Sequence, residues 1–272
     1  MAADVMTGDL NLEPFIEQMQ GNCDISDASG SNVFSICGMA LRLRDLNKWE
    51  KGLKPWEEND PKDVLAWIDQ KEQVWEKAQD LDFKPLDLEG RRFDPFDTRG
   101  INRVLARADL FYGAGYGHSL KPVFFLARIE EGRNTGDTPL IILGRELVRD
   151  LLTLPALTQD DAVVIRREAA GLFLWDQMAY LKKSGQRFLR FGLRACGLPD
   201  PGVKSRKTHF NAILGAQEQT YIHHEIGEIK DRVFDRRDFR KILSQFAGTS
   251  VEFLARTIKD LLADTGPRGT LN

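Results

Sequence analysis

The sequence predicts a mainly α-helical protein, α+β by content: a helical assembly with one central β-hairpin. Three observations carry this. Apolar residues recur at helical spacing through most of the chain, helix start signals stand at Asp60-Pro61 and Thr249, and one β-rich stretch lies between residues 123 and 143.

Taken in order, a short helix is expected from Leu10 to Met19, followed by a loop from Gly21 to Ser31, which is rich in Gly, Ser, Asp and Asn. The next helix has an apolar first half (Phe34, Ile36, Cys37, Met39, Ala40, Leu41, Leu43) and a polar second half (Arg44, Asp45, Lys48, Glu50, Lys51). Asp60 can then cap a helix that Pro61 opens, with Asp63 in its first turn where the helix dipole favours an acid. Val64, Leu65, Trp67, Ile68, Val74 and Trp75 carry that helix to about Gln79. Residues 80–98 read as an ordered connector, and another helix is expected from Arg99 to Phe111. Val123 to Ile129 is β-branched and aromatic, Asn134-Thr135-Gly136-Asp137 supplies turn chemistry, and Leu140 to Leu143 is a second apolar run: one hairpin. A lone hairpin is marginal in water, so it must lie against helices or pair with a further strand.

From Arg145 the pattern reads as helical again. Thr158 with Asp161 resembles a capping box for a long apolar helix to Lys183. After Gly197, Pro199, Pro201 and Gly202, a helix is expected from Lys207 to Asp235, with Gly215 as a point of interruption. Thr249 with Glu252 starts a last helix ending near Asp264, and the tail from Gly266 is expected to fray. The natural division is an N-terminal helical part (1–110), a Gly-rich crossover and hairpin (111–144) and a C-terminal helical part (145–272), as one domain or more.

Bulk properties exclude several classes. A 272-residue chain with 29% charged and 42% hydrophobic residues has a globular balance, and a net charge of −3 creates no field favouring nucleic acid or anionic membrane. Cys23, Cys37 and Cys196 form no C-x-x-C pair and read as reduced thiols. The N-terminus lacks the basic and apolar regions of a signal peptide, and no apolar run approaches the roughly 20 residues of a membrane helix. A soluble, cytoplasmic protein without a membrane role is the expectation. Serine nucleophile elbow, dinucleotide fingerprint, Walker loop and EF-hand are all missing, so no nucleotide cofactor motif is present.

One stretch concentrates chemistry. Gln217 to Asp235 reads QEQTYIHHEIGEIKDRVFD. On a helix at about 100° per residue, Ile222, Ile226, Ile229 and Val233 form an apolar stripe, while Tyr221, His224, Glu225, Glu228 and Arg232 share another arc. Imidazole with carboxylates suits iron, zinc or manganese, and helical bundles hold such ions between facing helices. Glu168 shares the apolar face of Val164, Leu172, Trp175 and Ala179, and a buried carboxylate demands a partner. The candidate metal ligands are therefore Glu168, His224, Glu225 and Glu228, with Tyr221 beside them. The pattern departs from the two Glu-x-x-His motifs of di-metal bundles, since Glu225 is followed three residues on by Glu228. The competing account makes His224 and Glu228 a surface i,i+4 pair and gives Glu168 an arginine, from Arg166, Arg167, Arg232 or the Arg187, Arg190, Arg194 series.

Three other features have simpler readings. The glycines of Tyr112 to Ser119 leave a helix and enter a strand, the reverse of a phosphate loop, so Tyr116 and His118 are expected to pack around a tight crossover. Arg187, Arg190 and Arg194 interleave with Phe188 and Phe191 at amphipathic-helix spacing, with acidic neighbours rather than nucleic acid as the expected partner. The five tryptophans, four of them in the first 75 residues, would mark a protein-partner surface if exposed, which leaves a non-catalytic interaction or regulatory protein as the alternative function.

Overall fold

The computed structural model describes residues 11–30, 33–195, 197–198, 202–231, 233 and 235–271. Helix α1 (Glu13–Ser29) is followed by α2 (Ile36–Glu50) and α3 (Pro61–Ala78). The Asp60 cap forms as the sequence implies, accepting from the Lys62 N–H at 2.8 Å. The loop expected at 21–31 is instead the second half of α1, held because Cys23 and Ile25 are buried and Ser26 donates to the Pro122 carbonyl. Within the connector lies a ribbon of β1 (Leu86–Leu88) and β2 (Arg91–Phe93), and α4 (Thr98–Leu105) follows.

The expectation of a helical assembly with one central hairpin is overturned by a curled, mixed, five-stranded sheet. Its strands are β3 (Leu110–Tyr116), β4 (Pro122–Thr135), β5 (Thr138–Arg149), β6 (Ala156–Gln159) and β7 (Ala162–Arg166), in the order β3-β4-β5-β7-β6. The foreseen hairpin is β4–β5, longer than expected and flanked on both sides. Register shifts between Leu126 and Glu131 bend it.

Two misreadings explain the correction. Gly113 and Gly115 made β3 look like a loop, yet a Cβ on Gly113 would stand 2.0 Å from the Phe125 ring of the neighbouring strand. Thr158 and Asp161 looked like a helix cap, but Asp160 and Asp161 take φ of 51° and 67° and form the two-residue turn of the β6–β7 hairpin. The run Val163-Val164-Ile165 is then a strand buried on both faces and paired parallel to β5, which leaves it no polar alternation to betray it.

Strand β7 passes directly into α5 (Arg167–Tyr180); α6 (Lys183–Ala195), α7 (Val203–Thr208), α8 (Phe210–Lys230), α9 (Arg236–Gln245) and α10 (Ser250–Thr265) complete the chain. The tail turns back on α10: Leu271 N–H bonds to the Asp264 carbonyl and Gly269 is buried. One face of the sheet packs Tyr112, Phe124, Leu126 and Val148 against α1 and α4. On β5 and β7, Leu140, Ile142, Val163 and Ile165 pack against Ile222 and Ile226 of α8.

Strands β5 and β7 carry a buried ion network. Glu146, Arg149 and Arg166 have side chains with 0% exposure. Arg166 Nε donates to Glu146 Oε1 at 2.6 Å, its guanidinium lies 4.0 Å from the Phe125 ring centroid, and Arg149 Nη1 stands 3.5 Å from Glu146 Oε2. Nearby, Lys121 donates to Asp27 at 2.9 Å with both groups buried.

Candidate functional site

Helix α8 runs unbroken through Gly227, so the helical wheel drawn from the sequence applies. Its apolar stripe covers the sheet, except that Val233 lies beyond the helix and is exposed. Glu225, next to the stripe, is buried and accepts from Thr158 Oγ1 of β6 at 2.9 Å. His224 and Glu228 turn the other way, towards α10.

Gly227 is what allows the meeting. A Cβ there would stand 2.3 Å from the Ala263 carbonyl oxygen, so α8 and α10 approach too closely for any larger residue. His224 Nδ1 lies 2.9 Å from Asp264 Oδ1, and Asp264 is itself held by the Thr270 hydroxyl at 2.8 Å. This leaves Nε2 directed at Glu228 Oε1, 3.7 Å away, while the other Glu228 oxygen accepts from Lys259. One ligand atom each from His224, Glu228 and Asp260 lies within 4.8 Å of the others.

The electrostatics follow from burial and crowding. Burial, then the Glu228 charge, pushes Glu225 up to about 7. Burial acts to lower the His224 pKa, but the Asp264 hydrogen bond and the charges of Glu225, Asp264 and Glu228 outweigh it and raise it. Burial and Glu228 also raise Asp260.

Glu168 stands elsewhere. It lines a cleft of about 690 Å³ with Glu130, Gly144, Arg145, Arg167, Asn211, Leu214, Gly215 and Glu218. It accepts the Glu146 N–H at 2.7 Å and makes no ion pair with an arginine among the described residues. Arg232, a member of the predicted arc, lies outside the described residues, as does Cys196. A second cleft, of about 640 Å³, is lined by Glu225, Glu228, Lys259, Arg240 and the β6–β7 turn. Tyr221 is half-buried, with burial pushing it up to about 12.

The remaining features resolve simply. Tyr116 stacks on Phe96 with ring centroids 4.9 Å apart, and His118 Nδ1 meets the Ser119 hydroxyl at 2.8 Å. Trp67, Trp75 and Trp175 are buried; Trp49 donates to the Glu146 carbonyl and Trp56 packs on Trp175 and Phe210. Arg187, Arg190 and Arg194 are exposed on α6 without acidic partners among the described residues, and Phe188 and Phe191 are exposed beside them.

Two family models divide the chain between them: the N-terminal domain of the family of unknown function DUF6866 over residues 14–166, and the C-terminal domain of the same family over residues 172–271. The chain belongs to the DUF6866 family. No curated protein and no solved structure matches it. In this DUF6866 chain the three clustered groups all come from the C-terminal domain, whereas both clefts take residues from both domains. Among the described residues, no helix is long and apolar enough to cross a membrane.

The sequence reading missed Asp260, which sits 32 residues beyond Glu228 on a helix whose contact with α8 depends on Gly227. The available signal was Asp260 and Asp264 one turn apart.

Glu168 gives a pH prediction. Burial pushes its pKa to about 6 from an ordinary 4.5. An acid raised in the fold contributes stability that is full below its unfolded pKa and lost as pH rises through the folded one. A Glu168→Gln variant, neutral throughout, should therefore lose less stability than the parent between pH 4.5 and about 6. Melting temperature against pH measures this; parallel curves would refute it.

Proposed function

We propose that this protein binds one divalent transition-metal ion, iron, zinc or manganese, between α8 and α10 through His224, Glu228 and Asp260. The supporting observation is the arrangement of His224: Asp264 holds Nδ1, which fixes the ring and turns Nε2 toward Glu228. A carboxylate behind a ligating imidazole is the usual outer partner of a histidine on a metal, and an N/O donor set suits these ions. Three protein ligands leave room for water or substrate on the ion. Glu228 also borders the 640 Å³ cleft that Glu225 lines, so the reading extends to a metal-dependent activity there. Glu168 is not part of this ligand set.

Protein purified without chelator should carry stoichiometric metal, and a His224→Ala, Asp260→Asn double variant should not. Asp264→Asn, which removes only the outer partner, should weaken the metal about 10- to 100-fold. Lys259→Met, which frees a Glu228 oxygen, should tighten it. Equal, substoichiometric metal in parent and double variant would remove the proposal.

The second reading, an interaction or regulatory protein, is supported by α10 and not by the tryptophans. Val251, Leu254, Ile258 and Leu261 are exposed at i, i+3, i+7 and i+10. The two described cysteines are free thiols, which supports a soluble, cytoplasmic setting.

A further inference from the structure

The 690 Å³ cleft lies at the junction of the two domains, a preferred place for small ligands. Gly144 and Arg145 come from β5, Arg167 and Glu168 from the start of α5, and Asn211, Leu214 and Gly215 from α8. Most charges here are already balanced. Arg167 grips Glu218 through two bonds, at 2.7 and 3.1 Å, and reaches Glu130 at 2.6 Å.

Two charges are left over, and they have opposite signs. The exposed Arg145 side chain makes no ion pair or hydrogen bond among the described residues, and Glu168 spends one oxygen on the Glu146 N–H. Arg149 and then Arg145 act on Glu168 electrostatically, yet neither forms an ion pair with it within 4.0 Å; Arg149 faces Glu146, which leaves Arg145. A purely anionic ligand would meet Arg145 but face Glu168, and a purely cationic one the reverse. A ligand carrying both charges satisfies both walls.

Gly215 lines the cleft from α8. It sits inside α8, where glycine costs roughly 1 kcal/mol against alanine. Its φ is not in the left-handed region, and a Cβ there would meet nothing within 4 Å. Among the described residues no contact requires the glycine, and its missing side chain leaves room for a ligand against α8.

We propose that this cleft binds a small zwitterion of the free amino-acid type, its carboxylate on Arg145, its ammonium on Glu168 and its side chain beside Leu214. The site stands apart from the metal centre and does not depend on it.

The test is calorimetric titration of the full chain, in chelator, with each of the common free amino acids, and with propionate and propylamine as single-charge controls. At least one amino acid should bind more tightly than either control. Arg145→Gln and Glu168→Gln should each weaken it about 10- to 100-fold. Gly215→Ala should raise the melting temperature of the unliganded protein through helix propensity while weakening binding, a pairing that misfolding does not produce. Binding of no amino acid, equal binding of propionate, or affinity untouched by Gly215→Ala would each overturn the proposal.

Discussion

Replacing Glu146 with alanine should lower the unfolding free energy by about 3–5 kcal/mol, because it leaves two arginines buried without their counter-charge. Arg149 and Arg166 cannot reach solvent to recover the loss: both side chains have 0% exposure, and Arg166 is also held against the Phe125 ring. The Glu146 backbone, which the substitution keeps, accepts from Trp49 of α2 and donates to Glu168 of α5, so a shift of β5 would propagate to both layers. Denaturant midpoints measure the effect. Glu146→Gln, which keeps the shape and one acceptor, should fall between parent and alanine variant; an alanine variant as stable as the parent would show that the network contributes nothing.

Gly227→Val should have the next largest effect. The new side chain meets the Ala263 carbonyl, an obstacle of backbone rather than a flexible chain end, so α10 must move as a unit. Overpacking of this kind costs about 1–3 kcal/mol and sometimes more. The more telling outcome is local: separating the helices parts His224 and Glu228 from Asp260 and Asp264, so metal uptake should vanish while the far-UV circular dichroism of the sheet and remaining helices survives. Limited proteolysis should reveal early cutting ahead of α10, around residues 246–250. A variant that keeps both its metal and its resistance to protease would mean the close crossing is not needed.

What could be read in advance differed by element for physical reasons. Helix α3 announces itself locally, through Asp60, Pro61 and Asp63, and α10 through Thr249, whose hydroxyl accepts from Val251 as a cap should. Glu252 does not complete the expected box with Thr249; it accepts from the Gly248 and Ser119 N–H groups and so ties the chain after β3 to α10. Strands β3 and β7 were hidden because their signatures are made by partners: the glycine of β3 makes sense only against Phe125, and the unbroken apolar run of β7 only between two covered faces. The same distinction divides the site. The wheel of α8 placed Glu225 on one arc with His224 and Glu228, nearest the apolar stripe; in the fold Glu225 turns to Thr158 of β6, while His224 and Glu228 turn to α10. Which residue would face them, Asp260 rather than Glu168, depends on a helix crossing that no local pattern encodes.

The direct passage of β7 into α5 bears on how this family can vary. The boundary between the two domains, residues 167–171, is the opening stretch of α5 and not a linker. Arg167 there is bonded to Glu130 on one side and Glu218 on the other. The halves therefore behave less like beads on a string than like two leaves bound along a common spine: neither can be traded as a cassette without rebuilding the seam.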